Sequence, residues 1–277
     1  MHRLKRINLK RSACALLAVL LLMLSAASGL TAEPKTVHTT LPWLTSMARF
    51  IVGSTIRIQP LSKWGPGGNL QSVRKPQSDS VVIALDPRDA AKHSLAAGRK
   101  GLHLLYENLP VADTKVGTLP FDPSVLPFLS QRMLIVISEL EPGNYPYYQR
   151  RLAEFQSRLE STLEVGRSLV RDAKLLDLTG TASPWIQAAT THAVRPPDDL
   201  WAAWAAGGRL GELTSALSEA NRRGWTVVID AWTPAPVKSK IPENHKRVVL
   251  SEPAVDYDFF TYLHDIYLEI WSATTRK

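Results

Sequence analysis

Apolar residues in the middle of the chain recur at three- to four-residue spacing: Tyr148, Leu152, Phe155, Leu159, Leu163 and then Val170. Arg150, Arg151, Glu154, Arg158 and Glu160 fill the other faces. This pattern puts one apolar stripe along an α-helix and predicts a single helix of roughly 28 residues within the run from about Pro142 to Asp172, about 40 Å long at 1.5 Å per residue. Pro142, Gly143, Asn144 and Pro146 crowd its start, where proline is tolerated and asparagine can cap. On both sides the pattern changes to short strand-like runs separated by helical ones. Strands are expected at Thr36 to Thr40, Arg57 to Leu61, Val81 to Leu85 and Leu102 to Tyr106, then at Lys174 to Leu178, Thr226 to Ile229 and Arg247 to Leu250. Val81 to Leu85 is apolar throughout, as a parallel strand covered on both faces must be. Helices are expected from Pro42 through Ile51, Ala90 to Lys100, Ser124 to Leu140, Ser183 to Thr190, Leu200 to Ala206, Leu210 to Arg223 and Tyr257 to Ser272. Gly65, Pro66, Gly67 and Gly68 read as an irregular loop, and Val111 to Leu119 as another.

Strand and helix alternation implies parallel sheets. The predicted fold is therefore α/β: two lobes with parallel sheets joined by one long backbone helix, with a ligand cleft between the lobes. The expected boundaries are a first lobe over residues 33–141, the helix over 142–172 and a second lobe over 173–277.

The N-terminus changes what the composition means. Arg3, Lys5, Arg6, Lys10 and Arg11 precede an apolar run from Ala13 to Ala27 and small residues near Ala32. That order predicts a secretory signal peptide over residues 1–32; the alternative is an uncleaved membrane anchor, for which an apolar run of about 15 residues is short against a span of roughly 20. Five of the 33 basic residues lie in this leader, leaving 28 basic against 25 acidic residues, so the net charge of +8 is no nucleic-acid footprint. The single cysteine, Cys14, is also in the leader. The remainder can form no disulfide and no thiolate metal site, which suits a periplasmic location.

Ligand sites in paired α/β lobes sit at the carboxyl ends of the strands. That rule selects Asp86, Asp230 and Glu252, each just past an apolar run. Each can face a metal or cap the following helix or turn. Enzyme chemistry finds little to work with: there is no G-x-S-x-G elbow, no Gly-Lys-Ser/Thr phosphate loop and no cysteine nucleophile outside the leader. Trp201, Trp204, Trp225 and Trp232 read mainly as packing, with one or two lining the cleft.

Several short segments resemble the solute-binding proteins of zinc and manganese ABC importers. These are Val37-His38-Thr39-Thr40-Leu41-Pro42-Trp43, Pro66-Gly67-Gly68 with Ser78-Asp79, Phe121-Asp122-Pro123, and Leu140-Glu141-Pro142-Gly143-Asn144 ahead of Tyr147-Tyr148 and Phe155. The resemblance implies a non-enzymatic, monomeric binding protein that hands a metal ion or small ligand to a membrane permease, with zinc or manganese as cargo. It also implies three histidines and a carboxylate as ligands. This chain departs there: Gln71 and Thr118 fall where the first two histidines are expected, and Thr179 to Ala182, with Thr181, covers the third. Glu252-Pro253 is similar to the family's Asp-Pro, making Glu252 the best single metal candidate. The expectation is an uptake component with an altered or lost metal site; the alternative is a ligand-free interaction protein of the envelope on the same fold.

Overall fold

The computed structural model describes residues 35–109, 121–253 and 258–275. The predicted signal peptide, the predicted loop at 111–119 and the candidate Thr118 lie outside these residues. Four strands of the first sheet, β1 (Thr36–Thr39), β2 (Arg57–Pro60), β5 (Val81–Ala84) and β6 (Leu102–Leu104), run parallel in the order β2-β1-β5-β6. Strands β3 (Ser62–Trp64) and β4 (Leu70–Ser72) form a separate antiparallel pair. The second sheet runs parallel in the order β10-β9-β7-β8, from β7 (Leu175–Asp177), β8 (Ala193–Val194), β9 (Thr226–Ile229) and β10 (Arg247–Val249).

Helices α1 (Pro42–Val52), α2 (Pro87–Lys92) and α3 (Leu126–Leu140) accompany the first sheet. A 3-10 turn, Pro142–Asn144, then leads into α4 (Tyr145–Val170), which is 26 residues long. Beyond it come α5 (Ser183–Ala189), α6 (Asp198–Ala205), α7 (Leu210–Arg222), α8 (Ala235–Lys238) and α9 (Phe259–Thr275). Helix α4 packs against α1 and α3 on one side of the molecule and against α5 and α9 on the other. One apolar core runs through it, taking Val37 and Ile83 from the first sheet and Leu175 and Val228 from the second.

The long helix departs from its sequence pattern at both ends. Asn144 does not cap; its side-chain amide donates to Glu141 Oε2 at 3.0 Å, and Pro146 has no amide to offer a cap. In the second half the buried positions are Thr162, Gly166 and Val170, with Leu163 only partly covered. The reason is α9. A Cβ on Gly166 would stand 2.4 Å from the ring of Tyr267, which is fully buried and donates its hydroxyl to the Trp185 carbonyl at 3.0 Å. The helices cross closely because no side chain is there, and apolar periodicity cannot register a missing one.

Two other readings need correction. The helix expected from Ala90 to Lys100 is α2, which begins at Pro87 and ends at Lys92. Asp86 supplies the start, accepting from the Asp89 amide at 2.9 Å, with Pro87 preset for the first turn. The segment Gly65 to Gly68, expected to be irregular, contains a 3-10 turn that joins β3 to β4.

Candidate functional site

Loops that follow β1, β5, β7, β9 and β10 emerge at the carboxyl ends of the two sheets. The turn Pro66–Gly68 reaches from the first sheet's side to the end of β10, where the Gly67 amide donates to Glu252 Oε1 at 2.9 Å. Next to this bond, Trp232 lies between two glycines. A Cβ on Gly68 would be 2.5 Å from Trp232 Nε1, and one on Gly180 would be 2.5 Å from the Trp232 carbonyl oxygen. Gly68 also has φ +74°, a backbone region that glycine enters without steric penalty. Both glycines therefore serve the tryptophan.

Trp232 is one end of a chain of rings that fills the space between the sheets' ends. Its ring stands edge to face with Trp64 at 5.1 Å and with Phe121 at 5.2 Å. Phe121 meets Trp43 at 4.3 Å, and Trp43 continues to Phe259 at 4.9 Å and Tyr262 at 5.3 Å. Such edge-to-face pairs are worth about 0.5–1.5 kcal/mol each beyond the area they bury. The cavity beside Trp43, Trp64 and Tyr262 measures about 20 Å³, room for one water molecule. Trp43 Nε1 is buried there without a hydrogen-bond partner among the described residues. Burial pushes the Tyr262 hydroxyl's pKa upward, helped by the nearby charges of Asp230, Glu269 and Glu252.

The three strand-end carboxylates have different surroundings. Asp86 is fully buried; besides capping α2 it receives Arg88 Nε at 2.8 Å, and Arg88 in turn donates to the Leu109 carbonyl at 2.9 Å. Asp230 is 1% exposed and accepts from the amides of Gly180 and Thr181 at 2.8 Å, the Thr181 hydroxyl at 3.0 Å and the Ala182 amide at 3.3 Å. Thr233 Oγ1 adds a contact at 3.0 Å. The carboxylate thus organises the entire turn that leads into α5. Glu252 is exposed, and only its Oε1 has a hydrogen bond among the described residues. Of the remaining sequence candidates, Thr181 is held by Asp230, and Gln71 on β4 lies with its side chain against Gly65. The structure thus gathers Thr181, Asp230 and Glu252 with the glycine turn, and leaves Asp86 in its own network with Arg88.

The packing roles of Trp64, Phe121 and Gly180 around Trp232 are not legible in the sequence. Phe121-Asp122-Pro123 drew notice as a metal-motif likeness, yet Phe121 is a packing residue and Asp122 accepts from the Ser124 amide and hydroxyl at 2.8 and 2.7 Å. Among the described residues no group of three or more His, Cys, Asp or Glu is placed to hold a metal ion. His192 is exposed, and His38 projects to the sheet face opposite the one Val37 packs, beside Val82.

His38 and His93 give the protein a pH dependence. Both are held below their ordinary value of 6.5, chiefly by burial; Arg74 and Arg99 add to the effect on His38. The unfolded chain therefore binds more protons than the folded one just below that value, and stability falls as pH drops through it. Buried Asp89, whose pKa is raised by desolvation, acts with opposite sign: its contribution is lost as pH rises above the ordinary carboxylate value. Urea midpoints should be lower at pH 5.5 than at pH 7.5, and His38→Gln should reduce that difference. Equal midpoints would remove both histidines from the account.

No family model and no curated protein matches the chain. Solved structures do. ZnuA is 14% identical and superposes with a TM-score of 0.64 over 88% of this chain and 100% of its own. A Zn(II)-bound AdcAII variant of Streptococcus pneumoniae is 11% identical, with a TM-score of 0.62 over 88% of this chain and 99% of that one. The solute-binding protein FpvC of Pseudomonas aeruginosa, solved in complex with Mn²⁺, is 13% identical, with a TM-score of 0.57 over 87% and 98%. The chain shares their two-lobe α/β fold, long helix included. Among the described residues no helix is long and apolar enough to cross a membrane.

Proposed function

We propose that this chain is a periplasmic solute-binding-protein-like component of a metal-ion ABC uptake system, with zinc or manganese as cargo, a membrane permease as partner and an altered metal site. The observation that carries the reading is the long helix with its two parallel sheets, an architecture shared over 88% of the chain with ZnuA and with a Zn(II)-bound protein. These neighbours are why uptake is preferred to a ligand-free envelope role. The basic-then-apolar leader supports export.

What is altered is the set of groups in the cleft. A ring of histidines gives a divalent ion several neutral nitrogen donors. In this chain aromatic rings pack beside the strand ends, and the Asp86 and Asp230 oxygens are already engaged by hydrogen-bond donors. Of Asp86, Asp230 and Glu252, only Glu252 keeps an exposed oxygen, Oε2, without a hydrogen bond among the described residues, and this oxygen is offered to a hard cation. One carboxylate holds a divalent ion weakly. Binding that saturates the folded state stabilises it by RT ln(1 + [L]/Kd), about 2.7 kcal/mol at a hundredfold excess over Kd.

The protein purified after export should therefore carry no stoichiometric zinc by elemental analysis. It should show a thermal shift only with zinc or manganese chloride in the millimolar range. Glu252→Ala should abolish that shift and leave the metal-free fold intact, since the side chain is exposed and makes one hydrogen bond. Retained stoichiometric zinc, or an undiminished shift in the variant, would place the ion elsewhere.

A further inference from the structure

The outer face of the first sheet carries a second cavity, distinct from the cleft. It measures about 420 Å³ and opens between the segment that follows β4 and the turn that ends α2. Arg74 and Lys75 come from the first segment, Lys92 from the last residue of α2 and Arg99 from the turn beyond it, joined by the hydroxyls of Ser72 and Ser94. No aspartate or glutamate lines it among the described residues. Among the described residues Arg74, Lys75 and Lys92 have no carboxylate partner in this lining.

Several other surface arginines have carboxylate partners: Arg151 and Arg158 meet Glu154, Arg209 meets Glu212, and Arg222 and Arg223 share Glu219. Buried Asp89 lies within electrostatic reach of Lys92, but no carboxylate lines the cavity among the described residues, so the convergence of four cations there becomes favourable when an anion enters. Arg99 is held in place by the Ser80 carbonyl at 3.0 Å and the Ser78 carbonyl at 3.2 Å, so its guanidinium is positioned in advance. Ser94 has φ +58°, an uncommon conformation for a residue with a side chain.

A further observation comes from the sheet beneath. His38, 8% exposed, has Nδ1 without a hydrogen-bond partner among the described residues. It lies on the same sheet face as Val82 and Ala84, which Leu95 of the cavity wall covers. The guanidiniums of Arg74 and Arg99 are both within electrostatic reach of its ring. An unpartnered polar atom thus lies in the sheet next to the cavity wall, within electrostatic reach of two of the cavity's cations.

We infer that this cavity binds a phosphate group. Guanidinium forks and ammonium groups match phosphate oxygens, hydroxyls complete the shell, and the volume accommodates the phosphate with part of the molecule that carries it. The inference does not depend on what the cleft binds. A phosphate group reaches an exported protein either free or as a phospholipid headgroup, and two probes separate these sources.

The full-length chain is expressed, purified after export and titrated calorimetrically with inorganic phosphate at fixed ionic strength. In parallel it is sedimented with vesicles of phosphatidylglycerol in phosphatidylcholine, and with phosphatidylcholine alone. Saturable one-to-one phosphate binding identifies a free anion; binding confined to the phosphatidylglycerol vesicles identifies a headgroup. In either case Arg74→Gln with Lys92→Gln should weaken binding about tenfold or more. A charge-matched control, Arg150→Gln with Lys174→Gln, should leave it within about twofold, since those residues are exposed on other elements. Lys75→Gln with Arg74→Gln serves as a second variant if circular dichroism shows the first to be misfolded. Binding of neither probe, or equal binding by wild type and cavity variants, would overturn the inference.

Discussion

Asp230→Ala should lower the folding stability by about 3 kcal/mol or more, because it strips hydrogen bonds from several buried donors at once. The Gly180, Thr181 and Ala182 amides and the Thr181 hydroxyl all point at this one carboxylate. Alanine offers them nothing, and each buried donor left without a partner costs about 1–3 kcal/mol. Asp230→Asn should fall between, since its one oxygen can satisfy part of the set while its amide nitrogen faces donors. Urea unfolding of the three proteins would read the order directly. If Asp230→Ala were as stable as wild type but lost a metal-induced shift, the carboxylate would be a ligand first and a turn organiser second.

The other large effect is expected at Trp232. Trp232→Ala should destabilise by about 2–4 kcal/mol, in the range of aromatic truncations that leave a cavity and moderated by the ring's partial exposure. More is lost than the packed area. Gly68 and Gly180 lack side chains where the tryptophan sits, so neither can expand into the gap. The edge-to-face contacts to Trp64 and Phe121 also disappear, and with them the apolar link between the two sheets' loop ends. Proteolysis in the Gly65 to Gly68 turn should become faster while far-UV circular dichroism stays unchanged. An unaltered urea midpoint and unaltered proteolysis would show that the rings touch without holding the lobes together.

The scaffold was legible because its signals are local and repeated. The stripe from Tyr148 to Leu159 announces α4, and the runs at Val81 and Thr226 announce central strands. Asp86 could be read only as either ligand or cap, since both roles place a carboxylate after a strand; the structure puts it against the Asp89 amide and Arg88. The aromatic fill of the cleft was hidden for a different reason. Trp43, Trp64, Phe121 and Trp232 come from four distant segments, and their contacts depend on how two sheets face each other. Gly166 carried no signal because an absent side chain has no periodicity. The cation cavity was missed similarly: Arg74 and Lys92 are ordinary surface charges until the segment after β4 passes beside the end of α2.

The shared core also governs how the chain comes into being. Phe259, Phe260 and Tyr267 from α9 belong to the same apolar cluster as Val37 and Ile83, near the start of the described chain. Phe259 touches Trp43 and Phe260 touches Phe50, so the final helix seals a structure begun by the first. A chain delivered N-terminus first cannot complete this core until its last helix has arrived. Sequence separation of this size slows folding, because the closure entropy of a long loop must be met before the contacts form. Were the chain exported as proposed above, that delay would keep the polypeptide threadable through a narrow channel until passage is nearly complete.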